Sequence, residues 1–248
     1  MKKINLVLGG GGARGFCHLG VMKALEEKGF TINAISGVSA GAIAGAFYCA
    51  GVSPNKTLDI LKEKRFFDFS RIHLPIDGLL SLEGLEDQLN KAIPTKNIED
   101  LETPLYVAVT NLNDGDIEYK NHGPLGKTVL ASASLPVLFS PVTMEGKQYV
   151  DGGVLDNFPV KPVLEDGLPI VGVNVSPLNK LPHLENLIQI TQRMFQLGVN
   201  KQTEINKLKC NYVIEPEGLR KYDILDGSKA DELFNIGYEY ASELKIED

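Results

Sequence analysis

Gly37-Val38-Ser39-Ala40-Gly41 sets a serine between two glycines. This is the G-x-S-x-G spacing in which a hydroxyl is held out of a sharp turn between a strand and a helix. The chemistry such a hydroxyl serves is nucleophilic attack on an acyl carbon, with a covalent intermediate that splits one hard step into two easier ones. An apolar segment, Phe30 to Ile35, precedes the turn, and a run of small residues, Ala42 to Ala50, follows it, which is the setting the turn needs. A helix beginning here also supplies partial positive charge where an oxyanion would form. The competing reading is a serine that merely caps a helix after a glycine turn.

Gly10-Gly11-Gly12-Ala13-Arg14-Gly15 follows an apolar strand and opens a helix, so its amides can face an anion with no Cβ in the way. Three readings compete. As a dinucleotide fingerprint it wants an acidic residue roughly 20 positions on, at the end of the next strand, where this chain has Ser36-Gly37-Val38-Ser39. As a phosphate loop it wants Gly-Lys-Ser/Thr after the glycines, which Gly12-Ala13-Arg14-Gly15 does not supply. As an oxyanion hole, Gly10, Gly11 and Gly12 would emerge beside Ser39, because both loops end successive strands of one βαβ unit. Arg14 either braces that loop and the oxyanion's surroundings or is a solvated first-turn arginine.

A serine nucleophile needs a proton acceptor. Of the four histidines, His18 follows the glycine loop on a helix, where a packed or hydrogen-bonded imidazole is expected, and His73 and His122 sit in loops without supporting motifs. His183 keeps the order Ser, Asp, His of α/β-hydrolases and would give a conventional triad, although its neighbours Leu181-Pro182 and Leu184-Glu185 read as a helix entry. Asp151 is the stronger candidate. It ends the short strand Gln148-Tyr149-Val150 and is followed by Gly152-Gly153, a turn that lets a carboxylate come close to another loop. Burial should raise its pKa from about 3.9 and improve it as an acceptor. The plain alternative is an Asp-Gly turn residue.

Taken together, the glycine loop, the Ser39 turn, Ala131-Ser132-Ala133-Ser134-Leu135-Pro136 and Asp151-Gly152-Gly153 resemble the patatin-like phospholipase family, over roughly Leu6 to Leu164. The resemblance implies a modified α/β-hydrolase-like sandwich and a Ser39/Asp151 dyad without histidine. It also implies an oxyanion hole from the Gly10 to Gly12 amides with Arg14 beside them, the motif glycines being Gly15, Gly37, Gly41, Gly152 and Gly153. The substrate implied is a lipid or fatty-acyl ester, with no cofactor and no metal. Ala131 to Pro136 would line the active-site region. One departure is Asn111, where relatives often carry Asp. A catalytically silent lipid-binding protein is the remaining alternative, against which the intact Ser39 and Asp151 argue.

The elements that must position these residues alternate along the chain: strands at Ile4 to Leu8, Phe30 to Ile35, Leu105 to Thr110 and Ile170 to Val175, with helices between them. A hairpin turns at Asn113-Asp114-Gly115-Asp116, and helices are expected at Pro54 to Leu61, Glu83 to Ala92, Val129 to Ser134, Leu184 to Leu208 and Ala230 to Leu244, with a further strand at Tyr212-Val213-Ile214. That order predicts an α/β fold, a mostly parallel central sheet with helices on both faces. We expect one domain over 1–248, with the motifs at about 6–164 and a helical closing portion at about 165–248. A net charge of −7 opposes nucleic acid and anionic surfaces, so transient contact with a membrane surface must be apolar. The sequence fixes no oligomeric state. The stretch Phe66 to Leu80 is either an apolar mouth for acyl chains or ordinary core. Three widely spaced cysteines fit a reducing compartment. Met1-Lys2-Lys3 mimics a signal-peptide n-region, but Ile4 to Leu8 is too short for an h-region, and with no apolar run of the ~18 residues a membrane span requires the expected location is cytoplasmic.

Overall fold

The computed structural model describes residues 2–63, 83–136, 138–178, 180, 183–184 and 187–245. Its strands are β1 (Lys2–Leu8), β2 (Phe30–Gly37), β3 (Leu105–Asn111), β4 (Asp116–Lys120), β5 (Val142–Met144), β6 (Lys147–Asp151), β7 (Ile170–Val173) and β8 (Tyr212–Ile214). Its helices are α1 (Phe16–Glu27), α2 (Ala40–Cys49), α3 (Pro54–Glu63), α4 (Glu83–Ala92), α5 (Leu125–Ser132), α6 (Leu187–Lys207) and α7 (Ala230–Glu243). All the strands join one sheet in the order β5-β6-β3-β2-β1-β7-β8, with β4 also paired to β3. From β3 to β8 the neighbours are parallel; β4 and β6 run antiparallel to β3, and β5 to β6.

The alternation of side chains along a strand decides which layer each residue joins. Ile4, Leu6 and Leu8 of β1 enter the main core with Phe16, Leu19 and Met22 of α1 and Phe47 of α2. Val7 points the other way and packs with Phe158, Val160 and Val163. A strand buried on both faces is mostly apolar, and in β1 the one buried polar side chain, Asn5, is satisfied by donating to the Val163 carbonyl and the Asp166 carboxylate. The second face is closed by the 156–164 segment and the end of α6, whose buried Asn206 donates to the Phe158 carbonyl at 2.9 Å. Residues beyond 164 are not an appendage, since β7 and β8 extend the sheet and α7 packs on α1. Gly20 and Gly237 bring those two helices together: a Cβ on either would fall about 2 Å from a carbonyl of the other helix.

Most element positions follow the sequence expectations, with differences at the ends. β2 runs on to Gly37 and β7 stops at Val173. α5 starts at Leu125, earlier than periodicity indicates, because Pro124 fixes its entry and Thr128 Oγ1 donates back to the Pro124 carbonyl at 2.8 Å. The three-residue β5 was not expected. It turns into β6 through Glu145 and Gly146, at φ 52° and 78°, a pair of positive φ angles that Asn-Gly usually signals. Among the described residues no helix is long and apolar enough to cross a membrane.

Candidate active site

Leu8 and Gly37 are paired at the ends of β1 and β2, so the glycine loop and the serine turn leave the sheet at one edge. Ser39 has φ 54° and ψ −124°, a conformation a side chain makes costly, on the order of 1–3 kcal/mol. The surroundings enforce it. A Cβ on Gly41 would lie 2.1 Å from the Leu8 carbonyl oxygen, and one on Gly37 2.7 Å from that of Gly41, so the first turn of α2 rests directly on the strand ends. Gly15 gives the same closeness to Ala40, and Gly152 to the Ala108 carbonyl. Ser39 N–H donates to Ser132 Oγ at 2.9 Å, and Ser132 Oγ donates to the Ala108 carbonyl at 2.7 Å. The Ser39 hydroxyl makes no capping bond to α2. It lines the same cavity as the Asp151 carboxylate, close enough to favour that carboxylate's charged form.

Asp151 ends β6 opposite Val109 of β3. Its N–H donates to the Ser134 carbonyl at 3.0 Å, and its own carbonyl accepts from Thr110 Oγ1 at 3.0 Å. Its Oδ1 accepts from Gly153 N–H at 2.8 Å. The residue is 4% exposed. Burial pushes the carboxyl up to about 6, against the opposite pull of the Gly153 amide and the Ser39 hydroxyl.

Gly10, Gly11 and Gly12 line the same cavity as Ser39 and Asp151. A Cβ on Gly10 would stand 3.2 Å from Ser39 Cβ. The Gly10 N–H points to the Asn157 carbonyl at 3.4 Å, whereas the amides of Gly11 and Gly12 have no backbone acceptor among the described residues. The loop is held from behind. His18 Nε2 lies 2.8 Å from the Gly9 carbonyl; a carbonyl only accepts, so Nε2 carries the proton. Burial takes this imidazole down to about 4 and its Nδ1 is enclosed with no partner among the described residues, so His18 is neutral and positions the loop.

Arg14, grouped above with the oxyanion glycines, braces the loop from its outer side. Its Nε and Nη2 donate to the Tyr222 carbonyl at 3.0 and 2.8 Å, and it lines a neighbouring cavity. The reason lies beside it: Ala13 N–H donates to the Ile224 carbonyl at 2.8 Å, so the 222–224 backbone lies along the loop's outer side. His183 is exposed and borders that second cavity, and among the described residues no histidine lines the Ser39 cavity. His73 and the stretch Phe66 to Leu80 lie outside the described residues.

The Ser39 cavity encloses about 910 Å³ including its open mouth. It is lined by the polar Ser39, Asp151, Asn157, Ser176 and Gln196 with the glycine loop, and by the apolar Leu135, Leu138, Phe139, Phe195, Val199 and Leu225. Sequence reasoning missed Asn157, whose Oδ1 would lie 2.3 Å from a Cβ on Gly10 and 2.6 Å from one on Gly153. It also missed the α6 wall, for which an amphipathic helix period was the only signal. Asn111 is buried and fully engaged. Its Nδ2 donates to Asp114 and Glu118 at 2.9 and 2.7 Å, and its Oδ1 accepts from the Asn113 and Asp114 amides. An aspartate, having no donor, would face two carboxylates there.

A family model described as patatin-like phospholipase matches residues 6–164. A lysophospholipase NTE1 of Meyerozyma guilliermondii is 28% identical over 98% of this chain and 19% of its own length. One of Coccidioides immitis is 30% identical over 98% of this chain and 17% of its own. The chain thus spans under a fifth of the curated relatives it matches. Among solved structures, VipD from Legionella pneumophila has the same fold, with a TM-score of 0.53 at 17% identity over 97% of this chain and 66% of VipD.

Proposed function

The chain belongs to the patatin-like phospholipase family, and from that premise we propose that it is a serine acyl-hydrolase cleaving carboxylic esters of lipids through Ser39 and Asp151. The observation that carries this reading is that the strained Ser39 and the buried Asp151 carboxylate line one cavity, where the serine hydroxyl favours the charged carboxylate.

Ser39 Oγ attacks the ester carbonyl carbon while Asp151 accepts its proton. Negative charge gathers on the carbonyl oxygen, and the amides of the Gly10 to Gly12 loop, fixed before the reaction begins, receive it; each such donor is worth about 3 kcal/mol of transition-state stabilisation. As the tetrahedral adduct collapses, Asp151 returns its proton to the departing alcohol and the acyl group stays on Ser39. Water then attacks that ester with Asp151 as base, releasing the fatty acid. The relatives named lysophospholipases direct the substrate class toward single-chain phospholipids.

Transient contact with a lipid surface belongs to the same reading. On α6, Leu187, Ile190, Met194 and Leu197 form an exposed row at helical spacing, Met194 being 66% and Leu197 52% exposed. Phe195 and Val199 of the same helix line the cavity. Such a helix lies in a lipid interface by its apolar face. Three free cysteines, Cys17 and Cys49 buried and Cys210 half-buried, support a reducing, cytoplasmic setting.

A fluorophosphonate probe tests the core of the reading: it should label the wild type on Ser39, and Ser39→Ala should neither label nor hydrolyse p-nitrophenyl esters. Full esterase activity in Ser39→Ala would overturn it.

A further inference from the structure

Beside the Ser39 cavity lies a second one, about 940 Å³ with its open mouth, bordered among the described residues by Arg14, Arg193, Arg220 and Lys221 and by one carboxylate, Asp223. This concentration of cations occurs in a chain with 32 Asp and Glu and only 25 Lys and Arg. The two cavities share a wall, since Ser176, Gln196 and Ile224 line both. They are close along the chain as well. Gly12 lines the first and Arg14 the second, and two residues span at most about 7 Å.

The cations are arranged around the opening in different ways. Arg14 is anchored on the Tyr222 carbonyl, where burial lowers its pKa and the nearby Asp223 opposes that shift. Arg193 Nη1 donates to Gln196 Oε1 at 2.8 Å, which ties it to the shared wall. Arg220 and Lys221 come from the short 3-10 turn Glu217–Lys221. Arg220 meets Glu217 at 3.7 Å, where the Glu217 side chain is 85% exposed, a surface pair worth little. Lys221 Nζ stands 5.1 Å from the Tyr222 ring centroid. Guanidinium groups match the oxygens of a phosphate with paired, charge-assisted hydrogen bonds.

We propose that this second cavity receives the phosphate of a glycerophospholipid whose acyl ester lies on Ser39, with Arg220 and Lys221 as specificity-determining residues. The proposal rests on the acyl-hydrolase reading and deepens it. The acyl chain occupies the apolar cavity, the ester meets the glycine loop, and the glycerol passes over Ser176, Gln196 and Ile224 toward the cations. A neutral glyceride has the same acyl part but offers the cationic cavity nothing, whereas a phosphate exchanges hydration for the guanidinium and ammonium groups.

The test compares kcat/KM for monopalmitoyl lysophosphatidylcholine and monopalmitoylglycerol, which share the chain and differ in the phosphate. Wild type and the double variant Arg220→Gln/Lys221→Gln are assayed, with p-nitrophenyl butyrate hydrolysis followed in parallel and sodium phosphate titrated as competitor. The ratio of the two kcat/KM values should favour the phospholipid in the wild type and fall about tenfold or more in the variant, the loss expected for charge-assisted hydrogen bonds. Phosphate should raise KM for lysophosphatidylcholine in the wild type and less so in the variant. An equal ratio in the two proteins would overturn the lipid subsite. So would phosphate inhibition without any change of ratio, which marks a site for free anions. If p-nitrophenyl butyrate is also left intact by the wild type, the acyl-hydrolase reading falls and the subsite with it.

Discussion

The Ser39 backbone N–H and the Ser132 hydroxyl are 2.9 Å apart, and the same hydroxyl donates to the Ala108 carbonyl at 2.7 Å. One buried side chain therefore fastens the strained serine turn to β3. In Ser132→Ala the Ser39 amide and the Ala108 carbonyl both lose their partner, at a cost of about 1–3 kcal/mol. Released from its tether, Ser39 should lose alignment with Asp151, so kcat falls more than KM changes. Urea unfolding and steady-state kinetics on p-nitrophenyl butyrate read both effects, and a variant with unchanged kcat would exclude a positioning role for Ser132.

Asp151 must be ionised to accept the Ser39 proton, and burial sets its pKa near 6. Activity should therefore decline on the acid side, with kcat/KM dropping about tenfold per pH unit well below that value. Asp151→Asn should be nearly inactive at every pH. A wild-type profile that stays flat down to pH ~4.5 would show that another group takes the proton.

Two glycines of the site should respond differently to a methyl group. On Gly10 it would meet Asn157 Oδ1 at 2.3 Å and Ser39 Cβ at 3.2 Å, and the Asn157 amide is a side-chain end that can move aside. Gly10→Ala should fold, with kcat reduced by ~10²-fold or more as the oxyanion loop shifts from Ser39. On Gly41 the methyl would meet the Leu8 and Gly9 carbonyls at 2.1 and 2.9 Å. Backbone at a sheet end cannot yield, so Gly41→Ala should express poorly or melt many degrees lower. Circular dichroism melting separates the two cases, and a cooperatively folded, active Gly41→Ala would contradict this account.

The exposed row on α6 predicts a dependence on how the substrate is presented. Met194→Glu/Leu197→Glu adds charge to side chains that are already exposed, so the melting temperature should hardly move. Hydrolysis of phospholipid in vesicles should fall about tenfold, because both apolar contact and charge now oppose lipid. Hydrolysis of a soluble short-chain ester should fall much less. Equal losses on both substrates would place the effect in the cavity rather than at a surface.

The sequence made the strand-loop-helix alternation legible because the buried positions of β1 and β2 are mostly apolar, and because glycines mark the places where backbone approaches backbone. Ser39 and Asp151 stood out for the same reason, each followed by glycines at a strand end. What sequence reading did not reach depends on packing between distant segments. Arg14 is held by the Tyr222 carbonyl, over 200 residues away in the chain. Asn157 and the wall of α6 carry no local pattern that marks a site. β5 escaped notice because three residues are too few to show alternation and Glu-Gly replaces the usual Asn-Gly turn.

His18 and Asp151 impose opposite pH dependences on stability, and Asp151→Asn should expose one of them. Asp151 titrates at 3.8 in an unfolded chain and near 6 when folded, so between those values the folded protein holds the extra proton and stability is lost as pH rises. His18 goes from 6.5 to about 4, so the unfolded chain holds the extra proton and stability is lost as pH falls. Between pH ~4 and ~6 the two slopes oppose each other, and the wild type should gain or lose little from this pair. Asp151→Asn removes one slope. The variant should exceed the wild type by ~3 kcal/mol near pH 7, the advantage shrinking toward zero near pH 4. Urea unfolding of both proteins at a series of pH values measures this difference. A difference that stays constant with pH would mean that the Asp151 carboxylate carries no burial penalty, and the account of its raised pKa would have to be abandoned.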